Sequence, residues 1–111
     1  MIIGTFILDF QTTDFPSDSI IAVDVLSQYQ KACSLENQFA LDEPVQSAGW
    51  FFAKLFLAGQ LVEKIYAQNG NGIDASKGKK FEDKFIVWLG MQLKNKGCGA
   101  QVKMAPEMKS L

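Results

Sequence analysis

Twelve carboxylates, two cysteines and no histidine set the limits of what this chain can do chemically. Without an imidazole the usual general base is missing, and with it the Ser-His and Cys-His constellations and most zinc and non-heme iron sites. Acid and base work between carboxylates stays open, with Asp9, Asp14, Asp24, Glu36, Asp42, Glu43 and Glu63 as candidates. It requires two of them facing one cleft with their pKa values driven apart. Cys33 and Cys98 have no imidazole to raise their thiolate fraction, so neither is assigned as a nucleophile. The stretch Asn69 to Gly78 invites comparison with phosphate and calcium loops. Its glycines do not keep the GxxxxGK[ST] spacing, and Asp74 alone cannot supply the acids and closing glutamate of a calcium loop. It reads as a flexible surface loop, and no catalytic residue, metal or cofactor is expected.

A chain of 111 residues with a net charge of -1, 48% hydrophobic and 12% aromatic residues is that of one small folded domain, 1–111. Such a charge exerts no long-range pull on phosphates, so nucleic acid is not expected as a partner. The basic cluster Lys77, Lys79, Lys80 and Lys84 is answered by Glu82 and Asp83 and suits a solvated helix start. Met1-Ile2-Ile3 lacks a basic region and Asp9 interrupts the apolar run, so no secretory signal is expected. Free thiols in a reducing cytoplasm follow. The longest apolar window, Ala48 to Val62, is shorter than the ~20 residues a bilayer span needs and contains Lys54. No membrane span is expected.

The elements that would carry these residues are read from periodicity. Thr5 to Phe10 is rich in β-branched and aromatic residues and predicts a short strand over about 5–10. Ile21, Ala22, Val25, Leu26, Tyr29 and Cys33 recur at steps of three and four, predicting a helix over about 18–33 capped by Ser17 or Asp18. Asp42-Glu43-Pro44 reads as a second helix start: a capping carboxylate, an acid in the first turn, and a proline where its missing N–H costs nothing. The apolar run behind it predicts one long central helix over about 43–68. After the loop at 69–78, Phe81, Phe85, Trp88, Leu89 and Leu93 predict a third helix over about 79–96, stopped by Gly97. Alternation at Ala100, Val102 and Met104 predicts a last short strand over about 100–104, ended by Pro106 and followed by a mobile tail. The expected fold class is mainly α: a three-helix core around a long apolar helix, with terminal strands whose pairing is left open.

In the middle of the chain a family resemblance appears. Leu26, Tyr29 and Ala32, then Pro44, then Ala48-Gly49-Trp50-Phe51-Phe52-Ala53 and Ala58-Gly59-Gln60-Leu61-Val62 together resemble the bpX accessory domains of bacterial MoxR, vWA and β-propeller ternary systems. The resemblance covers roughly Ser19 to Ile65. It implies a non-catalytic, bacterial accessory component that works beside a MoxR-type AAA ATPase and a vWA protein, and it carries over no catalytic residue.

Three function classes remain. The first is a helical protein-interaction module, with Trp50, Leu57, Gln60, Leu61 and Lys64 as partner-contact candidates and a homo-oligomer as one form it could take. The second is a small-ligand binder with an aromatic pocket of Phe51, Phe52, Phe56, Phe85 and Trp88. The third is a carboxylate-based enzyme.

Overall fold

The computed structural model describes residues 4–105. Met1 to Ile3, Pro106 with its expected role as a strand stop, and the tail after it lie outside the described residues.

Three helices cover one face of a five-stranded antiparallel sheet, and among the described residues nothing covers the other face. In chain order the elements are β1 (Phe6–Thr12), α1 (Phe15–Ala32), β2 (Phe39–Leu41), β3 (Val45–Ser47), β4 (Trp50–Leu57), α2 (Gly59–Asp74), α3 (Phe81–Asn95) and β5 (Gln101–Met104). The strand order is β2-β4-β1-β5, with β3 also paired to β4. Both short strands follow β4 along one edge, β2 beside Leu55 to Leu57 and β3 beside Trp50 to Phe52. Taken as one interrupted strand, they give the connectivity of the split β-α-β-β-α-β plan, here with two helices in the second crossover.

This corrects the expected fold class. The protein is a mixed α/β sandwich with no long apolar helix: the region expected as a helix over 43–68 holds β3, β4 and only the first part of α2. In β4 the inward positions Phe51, Ala53, Leu55 and Leu57 oppose Thr12, Phe10, Leu8 and Phe6 of β1, and the last three pairs are buried. The outward positions are Trp50, Phe52, Lys54 and Phe56. Three of those four are aromatic, so the polar half of a period-two alternation was written in apolar residues and only Lys54 betrayed it.

Asp42, expected to start a helix, lies instead between β2 and β3, for a related reason. Asp42 does accept a backbone amide, but that of the neighbouring strand: Lys54 N–H donates to its Oδ1 at 2.6 Å, and Asp42 N–H donates to the Lys54 carbonyl at 3.0 Å. Pro44 lies between β2 and β3 at the sheet edge, where a missing N–H interrupts no inner ladder. Ala48 and Gly49, at φ 53° and 83°, then make a two-residue hairpin turn between Ser47 and Trp50. Both residues having positive φ matches the twist of the strands they join.

The helices begin and end for local reasons. Asp14, not Ser17 or Asp18, caps α1 by accepting from Ser17 N–H at 3.3 Å, and Pro16 occupies the first turn. α2 extends to Asp74, through half of the expected loop at 69–78. It bends at Asn69, whose backbone leaves helical geometry while its Nδ2 donates to the Ile65 carbonyl at 3.0 Å. Gly78 has φ 149°, and a Cβ there would lie 2.7 Å from that of Asp83, so the turn into α3 needs glycine. The terminal strands do pair: β5 lies against β1, with Val102 opposite Phe10 and Lys103 opposite Asp9.

One core fills the space between sheet and helices. Leu8, Phe10, Leu55 and Leu57 from the sheet meet Leu26 of α1, Leu61, Val62 and Ile65 of α2, and Phe85, Leu89 and Leu93 of α3. Phe6, Phe81 and Phe85 pack with edge-on or tilted rings at centroid distances of 5.6–6.3 Å.

Candidate functional site

The uncovered face of the sheet is the surface that the fold leaves for contact. Because side chains alternate along each strand, the ladder registers place four outward positions side by side. The middle row runs Asp42, Lys54, Asp9, Lys103 across the sheet: Asp42 beside Lys54 through their backbone bonds, Lys54 opposite Asp9, and Asp9 opposite Lys103. Lys54 Nζ and Asp9 Oδ1 form an ion pair within the chain. One step along the strands on one side lie Ala40, Phe56 and Ile7. On the other side lie Val45, Phe52, Gln11 and Gln101, with Ser47 and Trp50 beyond them. Ile7, Val45, Trp50 and Phe52 are 42, 68, 38 and 40% exposed, which leaves apolar surface on both sides of a charged stripe.

The expected contact residues divide sharply. Trp50 sits on this open face. Leu57 and Leu61 are fully buried in the core, so no partner reaches them in the folded chain. Gln60 and Lys64 are exposed, but on α2 in the helix layer, away from Trp50. The aromatic pocket does not form either. Phe52 and Phe56 point outward, whereas Phe51, Phe85 and Trp88 lie on the covered side, with Phe51 against Phe15 and Phe85 against Trp88. A continuous sheet separates the two sets.

The carboxylates are mostly engaged in structure. Asp14 caps α1, Asp24 accepts from Gln28 at 2.9 Å, and Asp74 accepts from the Tyr66 hydroxyl at 3.0 Å. Asp9, Asp42 and Glu43 do line one shallow groove on the open face beside Val45, Phe52 and Lys54. Asp9 is held there by Lys54 and Asp42 by the Lys54 amide. Among the described residues no group of three His, Cys, Asp or Glu side chains is placed to hold a metal ion.

One polar cluster escaped the sequence reading. Asp18 is buried at 7% exposure and receives the Thr12 hydroxyl on Oδ2 and the Gly99 N–H on Oδ1 at 2.9 Å. Its backbone carbonyl accepts from the Cys98 thiol at 3.6 Å, and Thr12 Oγ1 in turn accepts from Asp14 N–H at 2.9 Å. The cluster ties the start of α1 to the end of β1 and to the loop before β5. Both Asp18 oxygens and the Thr12 hydroxyl have partners within the chain, so the cluster acts as a clasp. Its sequence signal was the Asp in the first turn of α1, which was assigned to capping.

Burial pushes the Cys98 thiol above the ordinary range, outweighing a backbone hydrogen bond to Ala100 that lowers it. A thiol held protonated is a poor nucleophile. The sign for stability follows: Cys98 favours the folded state at neutral pH, and that contribution fades as pH rises from the unfolded thiol's range through the raised folded value. Native-state alkylation at pH 8, read by mass spectrometry, is expected to modify half-buried Cys33 well before Cys98. Labelling of Cys98 at the rate seen in denaturant would contradict its burial.

The chain matches no protein-family model, no curated protein and no solved structure. Among the described residues no helix is long and apolar enough to cross a membrane.

Proposed function

We propose that the chain is a non-catalytic protein-interaction module whose contact surface is the open face of its sheet. The observation that carries this reading is the pair of exposed apolar bands, Ile7 on one side and Val45, Phe52 and Trp50 on the other, flanking a charged row on a face that no element among the described residues covers. Two half-exposed aromatic rings on β4 contribute less to stability than they would inside the core, and exposed apolar surface of this kind marks contact sites. The bpX resemblance contributes the class, an accessory component, and the first candidates for partner, a MoxR-type ATPase or a vWA protein. Its motif residues Ala48 to Ala53 form a hairpin turn and a strand here, so the contact surface is a sheet face and not a helix.

The test places a photo-cross-linking amino acid at position 52, with a control at Ile20, which is 71% exposed on the outer face of α1. In native cells, position 52 is expected to give a discrete adduct and position 20 none. Adducts at 20 but not at 52 would overturn the proposal.

The same reading fixes what the face is worth to the fold. Trp50→Ser and Phe52→Ser are expected to cost about 1–2 kcal/mol each, less than a core aromatic, because the residues are 38 and 40% exposed. Equilibrium urea unfolding measures this. A loss of roughly 3–5 kcal/mol at Trp50, the cost of deleting a core aromatic, would place its ring in the core instead.

A further inference from the structure

The charged row has an order that matters. Across the sheet it reads acid, base, acid, base: Asp42, Lys54, Asp9, Lys103. Rotating a second copy by a half-turn about an axis lying in the interface and parallel to the strands reverses that order and leaves the rows aligned. Asp42 then faces the Lys103 position of the other copy, and Lys54 faces the Asp9 position. Every charge of the row meets its opposite. A half-turn about the perpendicular in-plane axis would set each charge against its own kind, which like-charge repulsion disfavours. The same axis brings Phe56 over the Ile7 position of the second copy and Phe52 over the Gln11 position.

We infer that the occupant of the open face is a second copy of this chain, packed sheet to sheet about a two-fold axis parallel to the strands. This rests on the open face being the contact surface and goes further by naming the partner. The geometry is that of two aligned sheets, whose twist sets them about 30° apart. Such an interface is isologous, with each residue and its counterpart exchanging roles. Eight residues of β4, seven of β1, four of β5 and six of β2 and β3 together, at about 16 Å² of sheet plane per residue, give roughly 400 Å² per copy, or ~800 Å² for the pair. That is below the ~1,000 Å² at which stable specific interfaces begin, so the dimer is weak and concentration-dependent.

Sedimentation velocity on the full chain at concentrations from about 1 to 500 μM tests it, alongside D42K, K103E and their 1:1 mixture. The unmodified chain is expected to pass from monomer to dimer across that range. D42K alone sets base against base and K103E alone sets acid against acid, so each is expected to dimerise at least about tenfold more weakly. The mixture restores both opposite-charge pairs and is expected to recover the unmodified affinity. Far-UV circular dichroism confirms that each variant is folded. Because Asp42 also accepts the Lys54 amide, K103E is the variant to rely on should D42K lose structure. In that case addition of NaCl to the unmodified protein replaces the mixture, and salt is expected to weaken the dimer. A chain that stays monomeric throughout, variants that dimerise as well as the unmodified chain, or a mixture no better than its parts would each overturn the inference. Monomer in solution together with a cross-link from position 52 to a different protein sinks the second copy and keeps the contact surface. Monomer with no adduct at 52 sinks both.

Discussion

Phe10→Ala is expected to destabilise the fold by about 3–5 kcal/mol, the range for deleting a core aromatic. Phe10 is fully buried at the middle of β1, with Ala53 of β4 on one side, Val102 of β5 on the other and the Phe15 ring edge-on at 6.0 Å. Neither strand neighbour can fill the space, since both are small and fixed by the ladder. A domain of this size is held by roughly 5–15 kcal/mol in total. Each kcal/mol lowers its melting temperature by about 4–8 °C, so a fall of at least 12 °C is expected in a thermal scan. A fall under about 4 °C would mean that the sheet does not pack in this register. Ile7→Ala, three positions away on the open face, is the matched control, and it is expected to cost well under half as much.

Asp18→Ala is expected to cost about 2–4 kcal/mol, although it removes a charge from the interior. The reason is what it leaves behind. The Thr12 hydroxyl loses its acceptor in a buried site, where an unsatisfied donor carries its full desolvation cost, and the Gly99 N–H, on an exposed residue, loses its carboxylate partner. Hydrogen exchange offers the sharper reading. The Gly99 amide is expected to lose protection in the variant by more than amides of α2, because the clasp joins α1 to the loop before β5 and does not touch α2. Equal loss of protection everywhere would show only global destabilisation. Asp18→Asn, which keeps an acceptor for one of the two donors, is expected to fall between the native protein and Asp18→Ala.

Both variants probe contacts between segments distant in the chain, and that is where the sequence reading divided. The outer elements were legible. β1, α1, α3 and β5 each carry their own periodicity and punctuation, such as Pro16 in the first turn of α1 and Gly97 after α3, and local pattern fixes local structure when nothing competes with it. The middle was not. An unbroken apolar run with a proline before it and a glycine within it satisfies a buried helix and a strand equally well, because periodicity alone cannot separate them. The decision belonged to β1, which supplies the ladder partner for all of β4 except Trp50.

The contact surface divides in the same way. Trp50, a position of the bpX resemblance, lies on the open face, whereas Leu57 and Leu61, expected on a helix side without a clean polar face, are core. A helical wheel drawn over a strand assigns faces by the wrong period, so those two residues were placed on a side that does not exist.

Residue types by themselves determined that this chain has no imidazole chemistry, no cationic surplus to draw phosphates, and enough apolar mass for one core. Which apolar residues form that core and which face outward was decided only by tertiary structure, and so was the ordering of Asp42, Lys54, Asp9 and Lys103 into one alternating row. Lys54 and Asp9 stand 45 positions apart in the chain. Strand register sets them side by side, and register is a property of the whole sheet, fixed by burying one face of every strand at once.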